Sequence, residues 1–114
     1  MTTRKNSGTS LSDNQLLRYS RQIMLPSVDV AGQMRLLESR ILILGVGGLG
    51  APVAMYLAAS GIGQLVLVDY DRVELSNLQR QIIHDTDSIG KLKVESAKAR
   101  LNEINPDITT TLIA

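Results

Sequence analysis

The chain has 114 residues, a formal net charge of +1 and a hydrophobic content of 44%. This length fits one domain or part of one, and the apolar content is sufficient for a core. The near-neutral charge gives no general attraction to nucleic acid or to a membrane surface, so neither is expected as a partner. The chain contains no cysteine, which excludes a disulfide, a cysteine nucleophile and a cysteine-ligated zinc site within it.

The N-terminal segment is polar and carries no secretion signal, and residues 1–10 are predicted to form a disordered leader. Ser12 and Gln15 have the spacing of a capping box, which predicts a helix that runs to about Met24. Its expected apolar positions are Leu16, Leu17 and Ile23, with Tyr19 or Met24 as a further candidate. A second short helix is predicted over residues 30–38. Two helices before the next segment are unusual for a plain dinucleotide-binding domain.

Residues 41–69 have the order strand, glycine turn, helix, strand, acid. The turn carries four glycines, Gly45, Gly47, Gly48 and Gly50, and Asp69 follows the second strand. This order matches the G-x-G-x-x-G nucleotide-binding fingerprint in its expected context. Gly45 allows a tight turn, Gly47 and Gly48 allow a ligand to approach the backbone, and Gly50 allows the helix to pack on the strand. The helix N-terminus suits phosphate oxygens, and Asp69 suits ribose hydroxyls. The alternative is a strand-to-helix turn without a ligand.

The uncharged stretch over residues 41–68 is long enough to span a bilayer, but six glycines and a proline interrupt it. Parallel strands that are buried on both faces produce the same apolar runs, so a membrane span is rejected.

The remainder of the chain predicts a polar segment, a helix and a strand. A short turn is expected over residues 78–81, started by Ser76 and Asn77. A helix is predicted over residues 91–105, where Pro106 stops it, and a third strand over residues 108–114. Right-handed crossovers place the three strands side by side in parallel. The predicted fold is α/β, a Rossmann-like parallel sheet that is incomplete at three strands and follows two N-terminal helices.

The segment from residue 69 to residue 93 is rich in groups that suit an anionic ligand. They are Asp69, Asp71, Asn77, Gln79, Arg80, Gln81, Lys91 and Lys93. Arg80 could clamp phosphates with its planar fork, and Lys93 could place a point charge on one. A solvated loop and helix start remain an equal alternative. Arg18 and Arg21 lie on one side of the first helix, either solvated or directed at phosphate. The single histidine, His84, is expected either at the surface or in a loop, and no metal site is expected.

Six blocks of the sequence resemble one family. They are RYSRQI at 18–23, ILGVGGLG at 43–50, LVDYD at 67–71, LSNLQRQ at 75–81, GKLKVESA at 90–97 and NP at 105–106. The chain from residue 11 to residue 114 resembles the ThiF/MoeB/HesA adenylyltransferases, which activate ubiquitin-like sulfur carrier proteins. Within the family it looks nearest to the molybdopterin-synthase type, with thiamine-biosynthesis and HesA-type members almost as near. Ubiquitin-activating enzymes share the same core.

The resemblance implies a reaction and a set of site residues. ATP and the C-terminal carboxylate of a carrier that ends in Gly-Gly give an acyl-adenylate and pyrophosphate. The implied catalytic groups are Arg21, Arg80 and Lys93, and Arg21 is expected to reach the ATP site of the other subunit of a homodimer. The implied nucleotide-binding residues are Gly45, Gly47, Gly48, Gly50, Asp69, Asp71, Ser76, Asn77, Leu78, Gln79, Arg80 and Lys93.

The resemblance implies ATP and Mg²⁺ as cofactors, with the protein ligand of Mg²⁺ expected beyond Ala114. The family's zinc-binding Cys-x-x-Cys pairs and sulfur-transfer cysteine are likewise expected beyond Ala114, and this sequence contains none of them. The resemblance therefore implies that residues 11–114 form the N-terminal half of an ATP-binding adenylyltransferase domain, located in the cytoplasm. Little or no adenylylation is expected from the 114-residue chain alone. Two alternatives stay open, namely a fragment of an NAD(P)- or FAD-binding oxidoreductase, and a non-catalytic remnant that binds nucleotide or dimerises.

Overall fold

The computed structural model describes residues 10–114, which form five α-helices and a three-stranded parallel sheet. The elements are α1 (Asp13–Arg18), α2 (Ser20–Ile23), α3 (Asp29–Glu38), β1 (Arg40–Leu44), α4 (Gly50–Ser60), β2 (Gln64–Val68), α5 (Lys93–Ile104) and β3 (Thr109–Ile113). The strand order is β1-β2-β3, which confirms the predicted Rossmann-like arrangement. Apart from Ser10, the leader predicted over residues 1–10 lies outside the described residues.

The first predicted helix is divided into two by Tyr19, which ends α1 and begins α2. The capping box of Ser12 and Gln15 starts α1 as predicted. The expected apolar face is correct only in part, because the candidate Tyr19 is 1% exposed whereas Leu17 is 75% exposed. The Tyr19 hydroxyl accepts a hydrogen bond from Asn105 Nδ2 at 2.7 Å. The Tyr19 side chain is thus bonded into the core at the residue that separates α1 from α2.

One face of the sheet carries the hydrophobic core, because α4 and α5 both pack against it. Both β-α-β connections cross on the same side, as right-handed crossovers do when the strands are laid down in one direction. The buried contributors from the sheet and the two helices are Ile43, Leu65, Leu67, Ala51, Ala54, Ala58, Val94, Ala97 and Leu101. Small alanines on α4 let this helix lie close to the strands.

The opposite face of the sheet is apolar but largely open to solvent. Leu42, Leu44 and Ile113 are 55%, 76% and 48% exposed. The expectation that the strands are buried on both faces therefore holds for only one face within the described part of the chain. Between Ser10 and Ala114, no helix is long and apolar enough to cross a membrane.

A short antiparallel pairing after β2 was not predicted. Arg72 forms an isolated bridge with Leu92, and the Val73 amide donates to the Lys91 carbonyl at 2.9 Å. Residues 75–77 then form a 3-10 turn, and a hydrogen-bonded turn follows from Asn77, where it was predicted. Because the bridge fixes residue 92, α5 begins two residues later than predicted and its N-terminus lies beside the end of β2.

Candidate functional site

The carboxyl ends of β1 and β2 bring the candidate residues to one edge of the sheet. Leu44 is in register with Val68, so the glycine loop (residues 45–50) and Asp69 leave the sheet side by side. The Lys93 amide donates to the Asp71 carbonyl at 2.9 Å. The N-termini of α4 and α5 therefore meet the glycine loop and Asp69 at the same edge.

The glycines of the loop are needed for different reasons. Gly45 has a φ of +89°, a left-handed conformation that favours glycine. A Cβ on Gly50 would overlap the carbonyl oxygen of Gly45, whereas a Cβ on Gly48 would meet nothing within 4 Å. Gly50 thus serves close packing of the helix on the strand, and Gly48 leaves open space above the loop.

The loop offers a row of unused hydrogen-bond donors. The amides of Gly47, Gly48, Leu49 and Gly50 donate to no acceptor found within residues 10–114. They precede and begin α4, whose N-terminus carries the positive end of the helix dipole. Such a set of free N–H groups is suited to the oxygen atoms of a phosphate.

Asp69 accepts two backbone hydrogen bonds, one from the glycine loop and one from the turn after β2. Its Oδ2 accepts from the Val46 amide at 3.0 Å, and its Oδ1 accepts from the Asp71 amide at 2.8 Å. Each carboxylate oxygen has a second lone pair, so both can still accept from a hydroxyl. The residue is half-buried at the edge of the sheet.

Lys93 is the buried positive charge of the site. The residue is 8% exposed, and its Nζ lies 4.0 Å from Asp71 Oδ2. A lysine that is buried to this degree loses much of its hydration, and one partner at this distance compensates only in part. Its ammonium group keeps the capacity to bind a further anion.

The residues that follow β2 lie on the polar turns. Asn77 Oδ1 accepts from the Glu74 amide at 3.0 Å, which leaves the Asn77 NH₂ group without a bond inside this turn. Arg80 is exposed, and its Nη1 donates to the Ser76 carbonyl at 3.1 Å. Three further candidates, Ser76, Leu78 and Gln79, belong to the same two turns.

Gln81 packs against the loop instead of facing solvent. It is 5% exposed, and its Nε2 would lie 3.4 Å from a Cβ on Gly47. Its Oε1 is buried without a hydrogen-bond partner in residues 10–114. A Cβ on Gly47 would thus come into van der Waals contact with this amide, so the Gln81 side chain lines the loop.

His84 lies in a loop, one of its two expected settings, but it is not at the surface, since it is 5% exposed. Its Nε2 lies 3.0 Å from the Val46 carbonyl oxygen and its Nδ1 lies 2.7 Å from Ser96 Oγ. Burial lowers the pKa of His84, the bond to the Val46 carbonyl opposes this shift, and the charge of Lys93 adds to it. The only feature of the sequence that indicated burial near His84 was the pair of apolar residues just before it, Ile82 and Ile83.

Arg21 and Arg18 lie at the other end of the molecule from the loop. Gln22, next to Arg21, donates to the Ser60 carbonyl at the C-terminus of α4. Arg18 Nη1 donates to the carbonyl of Ile104 at the end of α5, at 3.2 Å. Arg21 is exposed on α2. The structure therefore does not bring Arg21 to the glycine loop of its own chain.

A groove of about 350 Å³ lies beside the loop at the open face of the sheet. Its lining is Leu44, Gly45, Val68, Asp69, Tyr70 and Asp71. A larger open cleft of about 510 Å³ lies near α1 and Pro106. That cleft contains neither the glycine loop nor a helix N-terminus, so the groove at the sheet edge is the better ligand site.

Comparison with known proteins agrees with this geometry. The molybdopterin-synthase adenylyltransferase of Escherichia coli is 52% identical over 101 residues, which cover 89% of this chain and 41% of the relative. The sulfur carrier protein ThiS adenylyltransferase of the same organism is 50% identical over 103 residues, covering 90% and 41%. The chain thus spans about two fifths of the length of these relatives.

A crystal structure of Escherichia coli MccB with ATP has the same fold, with a TM-score of 0.77 and 38% identity. The match covers 85% of this chain and 30% of that protein. The model of the ThiF family matches residues 19–114, which include all three strands, the glycine loop and every candidate residue of the site. The chain therefore belongs to the ThiF family.

Proposed function

We propose that this chain binds ATP and serves the adenylylation of the C-terminal glycine carboxylate of a ubiquitin-like sulfur carrier protein, of the molybdopterin or thiamine pathway type. The observation that carries the proposal is the row of unused amides in the glycine loop, at the sheet edge that also holds the buried Lys93. Two relatives, named as adenylyltransferases, supply the reaction type. The NAD(P) or FAD alternative has no comparable support.

The site residues fit the parts of ATP. In this proposal the amides of Gly47 and Gly48 bind phosphate oxygens, and Asp69 accepts from the ribose hydroxyls. The groove of about 350 Å³ beside Asp69 takes the ribose and base. Arg80 and Lys93 lie along the triphosphate, together with polar groups of Asp71, Ser76, Asn77, Leu78 and Gln79.

The chemical step requires charge and alignment more than covalent help. A carboxylate oxygen of the carrier forms a bond to the α-phosphorus, and the bond from that phosphorus to the oxygen bridging to the β-phosphate breaks. The electron pair leaves with pyrophosphate, and no proton has to move. The loop amides and Lys93 stabilise the charge that develops on the phosphate oxygens, and Arg80 neutralises the departing group.

Arg21 enters this proposal through a second copy of the chain. Helix α4 has 11 residues, so its C-terminus lies about 15 Å from the glycine loop at 1.5 Å per residue. The neighbouring residue Gln22 is hydrogen-bonded to Ser60 at that C-terminus. The Arg21 side chain is therefore too far from the glycine loop of its own chain to reach it. We therefore propose a homodimer in which Arg21 of one copy completes the ATP site of the other.

Metal ions are not assigned to this chain. No group of three or more His, Cys, Asp or Glu side chains that could hold a metal is found among residues 10–114, and each oxygen of Asp69 already accepts one backbone hydrogen bond. No residue of the described chain is assigned to Mg²⁺ or to the zinc site of the family, and no step above involves a metal. We also propose a cytoplasmic location, as expected for an enzyme that uses ATP and a small carrier protein.

The first test is binding of ATP to the chain, measured by isothermal titration calorimetry. Replacement of Lys93 by methionine removes a buried charge from the phosphates, so the Kd is expected to rise roughly ten- to a hundredfold. Lys98→Met is the matched control, since Lys98 is an exposed lysine on the same helix, and it should leave the Kd unchanged. Equal effects of the two substitutions would contradict the assigned role of Lys93.

The reaction itself is tested by exchange of labelled pyrophosphate into ATP. The assay is run with this chain and with the longest natural reading frame that contains it, each with a carrier that ends in Gly-Gly. Carrier-dependent exchange by the longer form is expected. Absence of exchange with every carrier, in a protein that binds ATP, would favour the non-catalytic alternative instead.

A further inference from the structure

Val46, which precedes Gly47 in the loop, is held through both of its backbone polar groups. Val46 is fully buried, and its amide donates to Asp69 Oδ2 at 3.0 Å. Its carbonyl oxygen lies 3.0 Å from His84 Nε2. A carbonyl oxygen can only accept, so the proton of this hydrogen bond must be on Nε2.

The other ring nitrogen connects this contact to α5. His84 Nδ1 lies 2.7 Å from Ser96 Oγ, and in a neutral ring with the proton on Nε2 it accepts from the serine hydroxyl. Ser96 is buried and stands three residues after Lys93 on the same helix. Through His84 the loop is therefore bonded to the helix that carries the buried lysine.

Because a trans peptide is planar, the contact between His84 and the Val46 carbonyl also fixes the direction of the Gly47 N–H. The C=O of Val46 and the N–H of Gly47 belong to one planar unit and point in opposite directions. Because the carbonyl points at His84, the Gly47 amide points away from it. That amide donates to no acceptor within the described residues, in agreement with a direction out of the core.

We infer that His84, neutral and protonated on Nε2, is a positioning residue of the nucleotide site, which holds the Val46 carbonyl so that the Gly47 amide faces the phosphates. It touches neither ATP nor carrier and acts through one peptide unit. The inference rests on the proposed function, because it assumes that phosphate binds to the loop. Lys93, Asp69 and Asp85 are the charged groups that act on the ring.

Substitution of His84 tests this role through affinity for ATP. His84→Leu removes the donor to Val46 and is expected to raise the Kd about tenfold, the effect of one lost oriented hydrogen bond. His84→Gln carries an Nε2 donor at a similar position and should bind within about threefold of the wild type. Ile108→Ala is the control for destabilisation, since Ile108 is buried at the opposite end of the sheet. If His84→Leu binds as well as Ile108→Ala while both are folded, the positioning role is refuted.

The ring itself is tested without ATP, by the ¹⁵N shifts of the His84 imidazole at pH 7. A protonated Nε2 and an unprotonated Nδ1 are expected, and the opposite tautomer or a cationic ring would overturn the inference. This readout separates the two proposals. Wild-type protein that fails to bind ATP but shows the expected tautomer refutes the proposed function, and binding with the wrong tautomer refutes the role of His84.

Discussion

At the scale of single residues, substitutions of Gly48 and Gly50 should affect different properties. The Gly50 variant should lose folding stability, and the Gly48 variant should lose affinity for ATP. Gly50→Ala places a methyl group into the Gly45 carbonyl oxygen. The helix or the loop must move, so the free energy of unfolding is expected to fall by about 3 kcal/mol or more. A urea denaturation curve measures the loss.

Gly48→Ala is the matched control for this prediction. A methyl group there meets nothing within 4 Å, so the free energy of unfolding should change by no more than about 0.5 kcal/mol. Affinity for ATP should fall instead, because the methyl group occupies the space above the loop. Equal losses of stability in the two variants would show that the loop adapts to Gly50→Ala.

The residues of this edge show what the sequence could and could not predict. The roles of Gly45 and Gly50 follow from local backbone geometry, and both were predicted. The burial of His84 depends on Val46, 38 residues earlier in the chain, and on Ser96. Local pattern carries no information on such partners, so the burial of the single histidine was not predicted.

At the scale of elements, the hydrogen bonds of Asn105 connect the junction of α1 and α2 to α4. It is fully buried, and its Nδ2 donates both to Tyr19 Oη and to the Ala58 carbonyl at 2.8 Å. Asn105→Ala leaves these buried groups unpaired, so the free energy of unfolding should fall by about 2–3 kcal/mol. Asn102→Ala, at an exposed site on α5, is the control. A loss of less than about 1 kcal/mol in a thermal or urea melt of Asn105→Ala would mean that water replaces the amide.

The elements that the sequence predicts well are those set by local signals. The two apolar runs formed β1 and β2, and Gly61, with a φ of +94°, ends α4 as expected. The prediction of one continuous first helix missed the interruption at Tyr19. The partner of that side chain, Asn105, lies 86 residues away in the chain. The pairing of Arg72 with Leu92 was missed for the same reason, since the polar stretch after β2 has no strand pattern.

At the scale of the whole molecule, the position of Arg21 predicts complementation between copies. Arg21→Ala and Lys93→Met chains are each expected to be inactive alone, in a form of the protein that catalyses exchange. In a mixed dimer, the Arg21→Ala copy keeps its own Lys93 and receives Arg21 from its partner. An equal mixture should recover about a quarter of the wild-type rate, since half the dimers are mixed and each has one intact site.

Pyrophosphate exchange after co-refolding of the two variants measures this recovery. Arg18→Ala replaces Arg21→Ala in the control mixture, since Arg18 bonds to the Ile104 carbonyl and is not assigned to the site. No recovery in mixtures that form dimers by analytical ultracentrifugation would place Arg21 outside the ATP site.

The hydrogen bonds of the sheet continue past the ends of its strands. The Gly45 amide donates to the Val68 carbonyl at 2.7 Å, and the Asp69 amide donates to the Ile113 carbonyl at 3.1 Å. The first residue of the loop and Asp69 are thus extensions of the β ladder. A ligand that enters such a loop loses little of its binding free energy to the ordering of backbone. The backbone of this part of the site loses its conformational entropy when the sheet forms, before any ligand binds. Nucleotide binding should therefore leave the strands beneath it almost unmoved.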